Sequence, residues 1–202
     1  MGEAWLAVAA LILEHGGESS FDGLPLLEVP LVTLDIARPD PDDELIQRHA
    51  SLDWLQWMRR NFTDHARVEA LGGARSYASR LFDYGGTGRD QIAWVIETLR
   101  RDPHASYATI TTFEPLSDTS YIPCVSLLDF WLRSGSLELV AYAHSIDFGK
   151  KGFANLIQLA ELQRHVAERV EAPIGRLVMI VKSATIYLTE TKLMQETIAA
   201  AG

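Results

Sequence analysis

Residues 121–149, YIPCVSLLDFWLRSGSLELVAYAHSIDFG, decide the fold of this chain. Two apolar segments, residues 124–133 and 136–147, lie on either side of Ser134-Gly135. A pair of small turn-forming residues between apolar segments is typical of a β-hairpin. The stretch therefore predicts two antiparallel strands, with a cysteine at the head of the first and polar residues at the end of the second.

Helices and strands alternate on both sides of this hairpin. Helices are predicted for residues 3–15, 51–62, 89–103, 151–170 and 189–202. Further strands are predicted for residues 29–37, 107–115 and 175–188. We expect one α+β domain of residues 1–202, in which the long helix of residues 151–170 packs across a mixed or antiparallel sheet.

Charge and composition argue against several classes of protein. The formal net charge is −9, whereas nucleic-acid binding needs clusters of Lys and Arg, so nucleic acid is not an expected partner. No apolar run reaches the ~18 residues of a membrane span, and the first residues lack the basic start of a signal peptide. A single cysteine cannot form an intrachain disulfide, so we expect a cytoplasmic protein.

The single cysteine, Cys124, has two interpretations from this stretch alone. A free cysteine is most often a small buried hydrophobe. Cys124 also follows a proline, and His144, Ser145 and Asp147 end the neighbouring apolar segment. Polar groups close to a cysteine at a strand end suit a reactive thiol as well.

Five short motifs occur in an order that resembles the thymidylate synthase superfamily. They are SYASRLFDYGGTGRDQ at 76–91, IPC at 122–124, HSID at 144–147, FANL at 153–156 and SATIY at 183–187. The similarity is greatest to the short branch that includes archaeal-type synthases and nucleotide hydroxymethylases. It implies a homodimer formed through the sheet. It also implies methyl or hydroxymethyl transfer from 5,10-methylenetetrahydrofolate to C5 of a pyrimidine-like substrate.

The resemblance implies roles for individual residues. The implied catalytic residues are Cys124, Tyr77 and Glu44, and the implied substrate-binding residues are Asn155, Asp147, Ser145, His144, Tyr187 and Thr185. In this scheme the Cys124 thiolate attacks C6 of the ring and makes C5 carbanion-like. Asn155 pairs with the polar edge of the ring, because an amide offers both a donor and an acceptor. No metal site is implied.

Several of these residues also have a purely structural interpretation. Asn155 is also typical of a polar residue at the start of a helix, and Tyr77 is also typical of a tyrosine in a hydrophobic core. Tyr187 suits a strand end that leaves its hydroxyl in water. Glu44 suits a solvated acidic turn, since it lies in the sequence DDEL.

The chain departs from the family pattern where the resemblance implies phosphate-binding arginines. His144 stands at one of these positions, and Ser106 and Tyr107 stand at two others. Thr185 stands where the family has a histidine near the sugar. Because arginine binds phosphate through paired, charge-assisted bonds, we expect a substrate other than a standard monophosphate. The alternative is a catalytically degenerate relative that binds a small molecule or a protein.

Overall fold

The computed structural model describes residues 1–119 and 121–202. Its helices are α1 (Gly2–His15), α2 (Glu44–His49), α3 (Leu52–Thr63), α4 (Tyr77–Phe82), α5 (Gln91–Arg101), α6 (Gly152–Arg169) and α7 (Thr191–Ala201). Its strands are β1 (Gly17–Phe21), β2 (Leu24–Ile36), β3 (Arg67–Val68), β4 (Ala74–Arg75), β5 (Ala108–Thr111), β6 (Val125–Arg133), β7 (Ser136–Ala143), β8 (Ile146–Asp147) and β9 (Ile174–Tyr187). None of the helices in these two ranges is long and apolar enough to cross a membrane.

Side-chain caps set the start of the predicted helices. The Ser51 hydroxyl accepts a bond from the Trp54 amide at the start of α3, and the Asp90 carboxylate accepts one from the Ala93 amide, 2.8 Å away, at the start of α5. Each cap satisfies an amide that has no partner within its own helix. The predicted helices therefore agree with the structure to within about two residues at these ends.

The sheet is mixed, as the sequence predicts. The strand order is β1-β2-β9-β7-β6-β5, and β8 pairs with β9 outside this path. Strands β7 and β9 are parallel, and the long helix α6 makes the crossover between them. The other strands along the path pair antiparallel. The fold is therefore α+β with α6 packed on a mixed sheet.

The predicted hairpin of β6 and β7 is confirmed, but its second strand is shorter than predicted. Ser134 and Gly135 have φ values of 50° and 80°, which suit a tight turn with two left-handed residues. Strand β7 ends at Ala143, although the His144 amide still donates to the Cys124 carbonyl, in register with the preceding pair of Val125 and Ala143. Residues 146–147 form β8 beside β9 instead of continuing β7, so the prediction of one strand over 136–147 was wrong.

One face of the sheet forms the core. Phe130, Leu139 and Leu177 are neighbours in register across β6, β7 and β9, and all three are fully buried. Burying each side chain contributes about 1.5–3 kcal/mol. The Trp5 indole donates to the Phe148 carbonyl at 2.9 Å and packs edge-on against Phe153, which fixes the start of α6 on this face. The candidate site lies beside the start of α6.

Candidate active site

A cavity of about 680 Å³ opens where the ends of β6, β7, β8 and β9 meet α3, α4 and the β1–β2 hairpin. Its volume lies within the roughly 300–1,000 Å³ of small-molecule sites. Eight of the nine site residues that the sequence predicts line it: Tyr77, Cys124, His144, Ser145, Asp147, Asn155, Thr185 and Tyr187. The chain thus brings together residues that are up to 110 positions apart in the sequence, from 77 to 187.

Glu44 lies elsewhere, so its predicted place in the site is corrected. It is the first residue of α2 and is exposed, and within the described residues it does not line the cavity. The neighbouring Asp43 caps α2 and pairs with the N-terminal ammonium at 2.7 Å, which holds this turn at the surface. Glu28 of β2 is a carboxylate that does line the cavity, and it accepts a hydrogen bond from the Ser183 hydroxyl.

Cys124 is held in place by the backbone on both sides of its side chain. Its carbonyl accepts a bond from the His144 amide at 3.0 Å, and the next amide, that of Val125, donates to the Tyr77 hydroxyl at 2.9 Å. Burial raises the pKa of the Cys124 thiol, while the charge of Lys151 and a hydrogen bond from the Tyr121 hydroxyl oppose this rise. The thiol is therefore fixed at the cavity wall, with two groups that favour its ionised form.

Asp147 and Asn155 lie at the junction of β8 and α6. The Asp147 carboxylate accepts a bond from the Gly149 amide at 3.1 Å. Burial raises the pKa of Asp147 to about 6, although the charges of Lys151 and Lys150 oppose the rise. This carboxyl can accept or release a proton close to neutral pH.

Asn155 has a buried oxygen without a partner. Its side-chain nitrogen donates to the Lys151 carbonyl at 3.0 Å, but its Oδ1 has no hydrogen-bond partner within the described residues. The residue is 4% exposed and lines the cavity. A buried acceptor without a partner costs about 1–3 kcal/mol, so a ligand that donates to it would recover that energy.

Two tyrosines direct hydroxyl groups to the cavity. Tyr77 stacks on Phe62 with ring centroids 4.5 Å apart, and its amide donates to the Asn61 side chain at 3.0 Å. Burial raises the pKa of Tyr77 and, to a smaller extent, that of Tyr187. Both hydroxyls therefore keep their protons near neutral pH and can donate hydrogen bonds to a ligand.

The comparisons with known proteins identify the family. The family model described as "Thymidylate synthase" matches residues 37–201. The chain belongs to the thymidylate synthase family. A protein of Methanosarcina barkeri, named "Putative thymidylate synthase", is 38% identical over 196 residues, which cover 93% of this chain and 86% of that protein. A protein of the same name from Methanopyrus kandleri is 29% identical over 92% of this chain and 88% of its own length.

A relative whose name gives a different activity is also similar to this chain. The "Deoxyuridylate hydroxymethyltransferase" of Bacillus phage SP01 is 33% identical over 107 residues, which cover 50% of this chain and 28% of that protein. Synthases and a hydroxymethyltransferase are thus both similar to this chain, which supports a family of one-carbon transfer to C5.

The cavity is lined by residues of both charges. Within the described residues, no arginine lines it, and its basic residues are Lys151, Lys182 and His144. Burial and the nearby charge of Lys182 lower the pKa of His144, which makes it neutral at pH 7. Carboxylates of Asp22 and Glu28 face the same space. The cavity therefore offers little attraction to a dianion.

The arginines closest in sequence to the family motifs have other partners. Arg80 pairs with Asp118 through two contacts of 2.7 Å. Arg75 lies 3.4 Å from Glu114, and the Arg133 guanidinium lies over the Trp131 ring at 5.6 Å from its centroid. Carboxylates thus engage Arg80 and Arg75, and Arg133, at the end of β6, does not line the cavity.

Several cavity residues were missed by the sequence analysis. They are the side chains of Glu28, Trp57, Asn61, Tyr121, Lys151 and Ser183. Glu28 reaches the site because the β1–β2 hairpin turns at Asp22-Gly23, whose φ values are 50° and 76°. The dipeptide Asp-Gly is itself a hairpin signal, so this strand pair could have been found from the sequence.

Proposed function

We propose that this protein transfers a one-carbon unit, as methyl or hydroxymethyl, to C5 of a pyrimidine-like ring that carries little negative charge. One observation carries the proposal: Cys124, Asp147 and Asn155, whose Oδ1 has no partner among the described residues, line the same cavity. A nucleophile, a proton-transfer group and a ring-binding amide are the parts that such a reaction needs.

The chemistry begins at Cys124. Its thiolate adds to C6 of the ring, and the electron pair moves to C5, which then attacks the one-carbon donor. Tyr77 lies beside the thiol and donates a hydrogen bond toward the ring, and Asp147 gives or takes a proton close to neutral pH. Loss of the C5 proton would expel the amine of the one-carbon donor from the transferred carbon. Addition of hydride from the reduced donor would then give a methyl group, or addition of water a hydroxymethyl group, and elimination of the thiolate from C6 would complete the reaction.

Asn155 selects the ring in this proposal. Its Oδ1 has no partner among the described residues, so it can accept a hydrogen bond from the ring, while one N–H of its Nδ2 is bonded to the Lys151 carbonyl. A uracil-type ring carries such a donor at N3, whereas N3 of a neutral cytosine is an acceptor. Tyr187 and Thr185 lie on the same wall and are proposed to contact the sugar or its replacement.

The residues present also fit a second flat ligand. The cavity is large enough for a pyrimidine together with a second ring system, and the side chains of Trp57 and Phe21 line it. Bound methylenetetrahydrofolate would supply the one-carbon unit. Trp57 would hold such a ring by stacking, and Asp147 would accept hydrogen bonds from its N–H groups.

The test of this function is release of hydrogen from C5. Reversible addition of the Cys124 thiolate makes C5 basic, so a tritium label at C5 of the true substrate exchanges into water before any one-carbon donor is added. We expect release from at least one member of a panel of uracil and cytosine bases, nucleosides and nucleotides. If no member of the panel shows hydrogen release that depends on Cys124, the transferase proposal is contradicted. That result would favour a degenerate, non-catalytic binding protein.

We expect dUMP to bind weakly. Two or more missing arginine contacts, each worth about 1.5–3 kcal/mol, remove most of the affinity for phosphate. Calorimetric titration should give a dissociation constant above about 10 μM, or a binding free energy weaker than about −6.8 kcal/mol. His144→Arg should tighten dUMP binding by roughly tenfold, since Ser145 and Lys182 lie beside it.

His144→Gln is the matched control for this prediction, because it adds no charge. It should leave dUMP affinity unchanged within about twofold, and neither variant should alter binding of deoxyuridine by more than that. A wild-type dissociation constant at or below about 10 μM would refute the proposed weak affinity for phosphate.

We also propose that the protein is a homodimer formed through the outer face of the sheet. Leu127, Tyr142 and Ile180 are neighbours in register on this face, next to Val140 and Val178, and all are partly exposed. An apolar patch of this kind is typical of an interface.

Sedimentation at micromolar concentration tests the dimer. We expect a dimer for the wild type and a roughly 100-fold or greater loss of association for Ile180→Asp, because the substitution buries an unpaired carboxylate. Leu116→Asp is the control, since Leu116 is 99% exposed on a loop. A monomeric wild type, or equal association of the two variants, would rule out this interface.

A further inference from the structure

Lys151 has an unusual position at the start of α6. Its ammonium lies 5.5 Å from the ring centroid of Trp54 and 5.8 Å from that of Trp57, and the residue lines the cavity. Cation–π contacts of this length hold an ammonium without neutralising its charge. The two indoles of α3 therefore fix a positive charge at the cavity wall.

The adjacent lysine provides a contrast. Lys150 forms an ion pair with Glu190 at 2.9 Å. Within residues 1–119 and 121–202, no carboxylate oxygen lies within 4.0 Å of the Lys151 ammonium. The charge of Lys151 is thus uncommitted, and it faces the cavity that holds Cys124.

The groups around the Cys124 sulfur come from five parts of the chain. Tyr77 lies on α4, Tyr121 precedes β6, Asp147 lies on β8, Tyr187 ends β9, and Lys151 begins α6. The Asp147 charge and burial raise the pKa of the thiol. The Lys151 charge and the Tyr121 hydroxyl lower it, and Lys151 has the largest effect of the groups that do so.

We propose that the positive charge of Lys151 lowers the cost of ionising the Cys124 thiol for its attack on the substrate ring. The inference rests on the proposed role of Cys124 as the nucleophile. Among the described residues that line this cavity there is no arginine, His144 is neutral, and Lys182 is exposed on β9. We therefore assign the role to Lys151, which the two indoles hold at the cavity wall. On ionisation the thiol proton passes to water in the open cavity, Lys151 stays protonated, and no covalent bond to Lys151 forms or breaks.

The single cysteine makes the test direct. Iodoacetamide alkylation and the ultraviolet absorbance of the thiolate are followed against pH in the full-length protein, without substrate, with Cys124→Ser as the blank. We expect Lys151→Met to shift both pH profiles to higher pH and to slow alkylation near pH 7 by about three- to tenfold. Methionine keeps an apolar stem against the two indoles.

Lys150→Met is the matched control, and it should change the alkylation rate by less than about twofold. Lys151→Arg should restore the profile to within about threefold of the wild type, because it restores the charge. Lys151→Gln, measured in parallel, provides the uncharged comparison if the methionine variant does not fold.

The inference is overturned if the Lys151→Met and Lys150→Met profiles coincide, or if Lys151→Arg behaves like Lys151→Met. Alkylation requires no substrate, so its outcome is separate from that of the transferase assay. A shifted profile without hydrogen release would contradict the proposed function and leave the Lys151–Cys124 coupling intact. Hydrogen release with unshifted profiles would support the function and refute the role of Lys151.

Discussion

Cys124→Ser is expected to lower the rate of hydrogen release from C5 of the true substrate by roughly 10³-fold or more. An alcohol is far less ionised than a thiol at neutral pH, so addition to C6 nearly stops. Serine is close to cysteine in size, and the backbone bonds at this position do not involve the side chain. The variant should therefore fold and bind substrate, and lose only the chemical step.

Two controls separate the chemistry from structural damage. Cys124→Ala should lose the same activity, and Ser126→Ala, two residues along β6, should keep it. Binding of the substrate, measured by calorimetry, should stay within about threefold for all three variants. Release by Cys124→Ser at more than about a tenth of the wild-type rate would show that another group starts the reaction.

Local signals explain which parts of the fold could be predicted. The Ser134-Gly135 turn and the Ser51 and Asp90 caps act within a few residues, so sequence patterns reveal them. The end of β7 could not be found this way. After Ala143 the chain changes its partner strand, and Ile146 and Asp147 pair with residues of β9 that lie 38 positions further along the chain. The sequence carries no local sign of this change, so it predicts one strand where there are two.

The residues of the candidate site also fall into two groups, those that the sequence predicts and those that it does not. Residues of the ordered motifs, such as Cys124 and Asn155, were predicted because the resemblance fixes their positions, and the structure brings them to one cavity. Trp57 joins them because α3 packs against the start of α6. Lys151 lies four residues from both Asp147 and Asn155, and the indoles of α3 hold its ammonium at the cavity wall. The prediction for Glu44 was wrong for a different reason. In the sequence, an acidic residue beside a helix cap looks like the family's buried glutamate, but Glu44 lies in solvent.

Arg80→Met is expected to destabilise the protein by about 3–5 kcal/mol, the usual cost of breaking a buried ion pair on one side. Arg80 is 1% exposed, and its guanidinium bonds both oxygens of Asp118 at 2.7 Å. It also donates to the Thr112 carbonyl at 2.7 Å. Its loss leaves the Asp118 charge buried, and among the described residues the Glu114 amide, 2.7 Å away, is its remaining partner.

Urea unfolding measures this loss of stability, and a variant that breaks a surface ion pair provides the comparison. Arg164 and Asp42 lie 3.3 Å apart with side chains 40% and 75% exposed, so Arg164→Met should cost no more than about 1 kcal/mol. Adding Asp118→Leu to Arg80→Met should recover part of the loss, since the buried charge is then gone. Equal costs for Arg80→Met and Arg164→Met would contradict the assignment. The ion pair of Arg80 and Asp118 joins α4, which carries Tyr77, to the segment just before Tyr121 and Cys124. The stability of the fold and the placement of the nucleophile therefore depend on the same contact.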